Sequence, residues 1–403
     1  KTQILFHDRD LKEIYFEKGG VIRDSSNTIK STEGKYYLES SKYEFNKRVN
    51  VYNDNTDIKS KKLDYYSNSN KVFFYGPTVI TGEDYRIFSE KGFYNTKNKN
   101  GFFNTKSKIE YSNRTIVGDS LIFDDLKKYA SGIKNVTITD TINKTIIKGD
   151  FAEVFKDLDS AMVTKNSYAI KLLEKDSLFI KADTLFAVGP EENRFIKGRF
   201  NVKFFKTNMS GKSDKFIMNQ KSGLIKLIRN KLSKREQQIL TSKEISKINP
   251  VIWNGESQMS GDEIHIIRNL ETNQLDSLKI LNNAFVIEKD SFGIDNYNQI
   301  KGIDLFGNFK DNVLEKIRLD RNTEMIYYLY DEETKDLIGI DKAICSSILM
   351  TINNNKIDEI IFYTNPEGKV YPENELEINQ KILNGFNWRI DEKILNKKNL
   401  IIK

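Results

Sequence analysis

The 403-residue chain holds one cysteine, Cys345, and two histidines, His7 and His265. A lone thiol forms no intramolecular disulfide, so no disulfide framework staples this fold. HExxH, CxxC and G-x-S-x-G motifs are all missing, and two distant histidines make a poor start for a metal or triad site. Gly211-Lys212-Ser213 looks like a fragment of a phosphate loop, but the glycine required upstream would fall at position 206, which is Lys206. Proline is scarce at 5 residues, whereas Tyr (19) and Phe (25) are plentiful, which favours an ordered, β-rich chain. No apolar run approaches the ~18 residues that a membrane-spanning helix requires. The charge of +7 comes from 64 basic and 57 acidic residues and contains no dense Lys/Arg block, so nothing marks a nucleic-acid arm. A mild basic bias is compatible with an anionic ligand or membrane surface. No catalytic residue, metal ligand or cofactor is expected. The chain begins at Lys1 with neither Met nor a signal-like segment, which leaves removal of an upstream segment open.

What the sequence does contain is repetition. TIKSTEGKYYLESSKYEF (28–45) returns 29 residues later as DIKSKKLDYYSNSNKVFF (57–74). With the small residue of each copy as anchor, Ser31, Ser60, Ser89, Gly118, Gly149, Ala182 and Ser213 follow at steps of 29, 29, 29, 31, 33 and 31. Two positions before the anchor stand Ile29, Ile58, Ile87, Ile116, Ile147 and Ile180. Five positions after it stand Tyr36, Tyr65, Tyr94, Phe123, Val154 and Ala187, at opposite parity. An extra residue must therefore sit just past the anchor, where charges cluster, and a bulge or corner there returns both sets to one face. After polar turn words comes a second strand bearing Tyr43/Phe45, Val72/Phe74, Gly101/Phe103, Ala130/Gly132 and Ala161/Val163. One such unit cannot bury its own apolar face, so the copies must stack.

The last third keeps the habit at a longer period, with anchors Gly261, Gly302 and Cys345 at steps of 41 and 43. Each has a matched second strand (residues 273–278, 312–317 and 355–360, opening on Asn273, Asn312 and Asn355), and a third segment such as NAFVIEKDS lengthens the period. The expected organisation is a first array over 1–220, a basic insert or linker over 221–250, and a second sub-array over 251–403. Ser233 followed by Glu236 predicts a capped short helix in the insert. Asp119, Asp150, Asp183 and Asp262 recur after anchors, yet Thr32, Lys61 and Glu90 fill that place elsewhere. A metal ladder would not accept such replacements, so outward, turn-flanking carboxylates are expected. Trp253 and Trp388 are expected to pack at sub-array boundaries.

Bulky aromatics facing small anchors allow two outcomes: a core filled by its own side chains, or an open trough suited to acyl chains, at about 0.8 kcal/mol per buried CH₂. The pattern leaves both open. The repeat words, together with NPVIWNGESQMSGDEIHI (249–266), YNQIKGIDLFGNFKDNVLEKI (297–317), GIDKAICSSI (339–348) and LNGFNWRIDE (383–392), resemble the OstA-like relatives of the LptA family of lipopolysaccharide transport proteins. That resemblance implies an all-β, repetitive open β-jellyroll (a β-taco) of stacked bent antiparallel strands. It implies a periplasmic, possibly outer-membrane-associated protein that carries lipopolysaccharide by its lipid A acyl chains. Partners would be LptC-like and LptD-like jellyrolls stacked end to end, or further copies of the chain. The lining would be Ile29, Ile58, Ile87, Ile116, Tyr36, Tyr65, Phe45, Phe74, Phe103 and Phe123. Seven copies of two strands at about 4.8 Å would extend roughly 65 Å. The competing expectation is a closed, parallel β-solenoid with a structural or adhesive role. Strand direction separates the two.

Overall fold

A computed structural model describes residues 1–24, 27–53, 55–173, 176–207, 209–353 and 356–401. Asn355, read above as opening a strand, and positions 402–403 of the second sub-array lie outside these. The described chain is built from strands whose pairings are antiparallel throughout, the direction of a jellyroll and not of a parallel solenoid. It falls into two compact units, residues 1–169 with 186–191, and residues 170–185 with 192–403.

In the first unit each strand of 11 or 12 residues bends once. In Thr56–Tyr66, Ile58 and Ser60 are buried, Lys61 and Lys62 are exposed, and Leu63 and Tyr65 are buried again. The inner face changes parity just after the anchor, as the spacing of Ile58 and Tyr65 predicts. The return strand bends at the same level by a different device. Lys47 and Arg48 are both left-handed, at φ 59° and 53°, and the register with Thr56–Tyr66 shifts between Asn46 and Val49. The device recurs at Thr105/Lys106 and Lys134/Asn135, with Gly76 (φ 123°) at the corresponding corner of Lys71–Thr81.

The recurrent post-anchor carboxylates clamp these corners. The Asn135 amide donates to Asp119 at 3.0 Å, Asn166 to Asp150 at 2.5 Å, and Lys106 pairs with Glu90 at 2.8 Å. In the second unit Asn201 donates to Asp183 at 2.7 Å and Asn283 to Asp262 at 3.0 Å. Each carboxylate is spent on a side chain of the neighbouring corner, which explains why Glu serves as well as Asp where the partner is Lys.

The bend gives each unit two arms. In the second unit they are separately traceable from Met209–Asn219. Its residues 215–218 pair with Leu224–Ile228, followed by Glu263–Arg268, Leu275–Leu281, Asp304–Lys310 and residues 313–320. Its residues 209–212 pair with Val251–Asn254, followed by Ser257–Ser260, Ala284–Lys289, Tyr297–Gly302 and residues 324–326. Long strands Val313–Tyr330 and Leu337–Asn353 run through both arms. The segment NAFVIEK is the far half of a bent strand whose corner is Asn282–Asn283, both left-handed, so the longer period reflects longer arms on the same unit.

The basic insert leaves from the same level. Strand Leu224–Ile228 lies in one arm and Val251–Asn254 in the other, so residues 229–250 are extruded where a corner would be. They carry two helices, Lys234–Ile239 and Ser242–Ile248, each opened by a capping box, Ser233–Glu236 and Thr241–Glu244. No helix of the described residues is long and apolar enough to cross a membrane.

Candidate functional site

The inner face of the first unit is organised as cross-strand ladders. On one arm Ile29, Val51, Ile58, Ile80, Ile87, Ile109, Ile116 and Ile138 are successive register partners. On the other arm Phe45, Leu63, Phe74, Gly92, Phe103 and Leu121 follow one another in the same way. Phe alternates with Leu or Gly, and at Gly92 the reason is steric. The rings of Phe74 and Phe103 stack at 6.2 Å over Gly92, where an added Cβ would lie 2.3 Å from the Phe102 carbonyl oxygen and 3.0 Å from Phe74. A third ladder, nearer the arm tips, runs Tyr36, Tyr43, Tyr65, Val72, Tyr94, Gly101 and Phe123.

Of the ten residues named from the repeat, Ile29, Ile58, Ile87, Ile116, Tyr65, Phe45, Phe74, Phe103 and Phe123 are no more than 8% exposed. Tyr36 is half-buried and faces a cavity of about 170 Å³ shared with Ile14, Val21 and Tyr43. The others pack on one another and on their ladder partners, and a space of about 20 Å³ lies beside Phe123.

Contacts between opposite arm tips hold this interior closed. The Tyr65 hydroxyl donates to Asp24 at 2.6 Å and accepts from Asn27 at 2.9 Å. Asn53 donates to the Thr96 carbonyl at 3.2 Å, and Arg114 donates to Asp159 at 2.8 Å. Tyr85 and Tyr94 share a hydrogen bond at 2.8 Å, and Lys156 pairs with Asp84. Burial holds the Tyr85 hydroxyl above its ordinary pKa, against the lowering effect of its hydrogen bond with Tyr94.

A larger space lies wholly within the second unit, a cavity of about 830 Å³. One arm contributes Leu314, Ile317, Met350, Ile352 and Ile357; the other contributes Ser257, Val286, Glu288, Asn298 and Ile300. That volume belongs to the class that takes small organic ligands. Nothing in the repeat arithmetic flagged it. The only signal was alternation in NAFVIEK, where Val286 and Glu288 face the cavity while Phe285 and Ile287 join an apolar cluster under the C-terminal segment.

The matches to known proteins can be set against this geometry. A family model described as OstA-like protein matches residues 1–61. A crystal structure of LptH from Pseudomonas aeruginosa, titled the LptA-homologous periplasmic component of a lipopolysaccharide transport device, aligns at 14% identity and a TM-score of 0.27, over 30% of this chain and 85% of that one. A search of curated proteins returns no match. The OstA-like segment contains Ile29, Tyr36, Phe45 and Ile58, and thus the start of all three ladders. The large cavity lies outside it.

Beyond the OstA-like segment, the C-terminal residues LNGFNWRIDE form a strap across the outer face of one arm. Leu383, Phe386 and Trp388 cover Phe285, Ile287, Ile326, Tyr328 and Ile340. Two buried glutamines grip its backbone. Gln299 donates to the Lys381 carbonyl and accepts from the Leu383 amide, both at 2.9 Å. Gln258 donates to the Asn387 carbonyl at 2.8 Å and accepts from the Arg389 amide at 2.7 Å. Lys342 donates to the Gln380 carbonyl at 2.8 Å. Gln258, Gln299 and Lys342 each stand three residues before an anchor, so the period of the second array is also the spacing of its grips. Trp253 is buried, with its indole donating to Gln258.

Proposed function

We propose that the chain is a periplasmic lipid-binding bridge of lipopolysaccharide transport, which holds acyl chains between the inner faces of its bent strands. The observation that carries the proposal is the cavity of about 830 Å³ between the two arms of the second unit, with its wall of Leu314, Ile317, Met350, Ile300 and Val286. The first unit fills the corresponding space with its own side chains. The OstA-like match of residues 1–61 supports the transport context. In the first unit the same reading makes Ile29, Ile58, Ile87, Ile116, Tyr36, Tyr65, Phe45, Phe74, Phe103 and Phe123 the wall along which chains pass once the arm tips part.

End-to-end partners are part of this proposal. Strand Phe6–Asp8 pairs with Glu13–Phe16, and Lys356–Tyr363 and Glu367–Tyr371 each pair with Leu337–Asn353, with no second strand partner among the described residues. Such edges accept a further antiparallel strand from a neighbouring jellyroll or from another copy of the chain.

The deciding experiment is mass spectrometry of lipid retained by the chain after native purification from lipopolysaccharide-producing cells. Lipid A-bearing species near one per chain are expected. A folded protein that retains none and takes up no added lipopolysaccharide overturns the proposal and leaves a self-filled structural array.

A further inference from the structure

The cavity of the second unit carries a carboxylate with no partner among the described residues. Glu288 lies on its inner wall, with Ser257 and Asn298 as register partners on the two adjacent strands, and all three line the space. Among the described residues its carboxylate forms neither a hydrogen bond nor an ion pair. Two carboxylates of its own sign, Asp290 and Glu256, act on it. Asp290 is occupied by the Gly293 amide at 2.8 Å and by the Tyr330 hydroxyl. Glu256 on the rim stands within the ion-pair limit of Lys393 at 4.0 Å, and the Lys393 ammonium is bonded to the Gly255 carbonyl at 2.7 Å. Burial, followed by Asp290 and Glu256, holds the Glu288 carboxyl above its ordinary pKa. Lys289, next in sequence, is exposed and also lines the cavity, as does Lys393, yet neither pairs with Glu288.

An unpaired carboxylate in an apolar cavity is expensive, and such a group persists where a ligand supplies the missing partner. Beside Glu288 a phosphate or carboxylate head group would meet a like charge, which disfavours it at this row. We infer that the cavity binds a single-chain amphiphile whose polar end donates hydrogen bonds, an ammonium, amide or hydroxyl, to Glu288, with Ser257 and Asn298 completing the polar row. The inference rests on the reading of the cavity as an acyl-chain site and adds the chemistry of the head it selects.

The test is calorimetric titration of the full chain at pH 7.5 with monomeric dodecylamine, dodecanol and dodecyl phosphate. Dodecylamine is expected to bind at least about tenfold more tightly than dodecyl phosphate, as complementary and like charges in a half-buried site require, with dodecanol between them. Glu288→Gln should bring the amine and the phosphate to within about threefold, and Glu288→Asp should keep most of the preference. Removal of an unpaired charge should also raise the thermal midpoint of Glu288→Gln, which separates lost selectivity from a damaged fold. Equal binding of all three probes, tighter binding of the phosphate, or an unchanged ratio in Glu288→Gln overturns the inference and leaves the acyl-chain reading standing. Binding of none of the three overturns both.

Discussion

The left-handed corner residues are where side-chain chemistry and backbone strain meet. An L-residue at φ near 55° costs about 1–2 kcal/mol, yet Lys134 and Asn135 hold that conformation consecutively. Asn tolerates it best, and here its amide also reaches Asp119 at 3.0 Å. Asn135→Ala should therefore lower stability by about 1–2 kcal/mol, combining the lost hydrogen bond with the lost left-handed preference. Lys134→Gly should be neutral or stabilising, because glycine adopts the corner without strain. Urea unfolding of the two variants measures both, and a cost of equal size at the two positions would refute the account. The first strand's corner was legible because Ile58 and Tyr65 differ in parity. The return strand's corner was not. Phe45 and Val49 are four apart, keep their parity and give no sign of the two strained residues between them. The Phe–Gly ladder was half legible in the same way. Phe74 and Phe103 stood out as apolar, but the need for Gly92 between them is a property of three dimensions. Phe74→Ala should cost about 3–5 kcal/mol, since the ring is fully buried and its backing is rigid backbone.

Among the elements, the C-terminal strap depends on polar contacts to hold an apolar one. Its words are aperiodic, so repeat analysis could recognise them only as a resemblance. Their place is explained by Gln258 and Gln299, 41 residues apart, which spend both amide atoms on strap backbone. The strap is also tied by Glu392, which pairs with Arg389 at 2.9 Å and with Lys212. Burial pushes the Glu392 carboxyl up, but the hydrogen bonds and charges of Arg389 and Lys212 outweigh it and bring the pKa down to about 2 from 4.5. A carboxylate depressed in the folded state contributes stability that is fully present above about pH 4.5 and is lost as pH falls towards 2. The carboxylate is partly exposed, so the contribution is discounted to about 1–2 kcal/mol. Acid titration followed by tryptophan fluorescence should show the Trp388 environment changing across that window. Glu392→Gln should remove that step and lower stability at neutral pH; an unchanged acid profile in the variant would refute the link.

At the level of the molecule, the repeat specifies bent antiparallel strands throughout, yet it leaves open whether the space between the arms is filled. The answer differs between the units because it depends on side-chain volume summed across the gap, which no single copy encodes. Phe45, Phe74 and Phe103 fill it in the first unit; Val286, Ile300 and Ile317 do not in the second. The first unit can still serve passing acyl chains if its arms part, and its tips are held by a small set of polar side-chain contacts. Arg114 bridges Tyr111, Asp140 and Asp159, and Lys156 meets Asp84. Replacing both cations, in Arg114→Ala with Lys156→Ala, removes attraction at the tips without touching the ladders. If the arms open, the variant should take up a hydrophobic dye such as N-phenylnaphthylamine several-fold more than the parent, with its β-type circular dichroism intact. A photoreactive residue at position 103 should then label added lipopolysaccharide in the variant and not in the parent. Unchanged dye uptake with a lowered melting temperature would instead make the first unit a fixed core, and confine lipid to the cavity of the second.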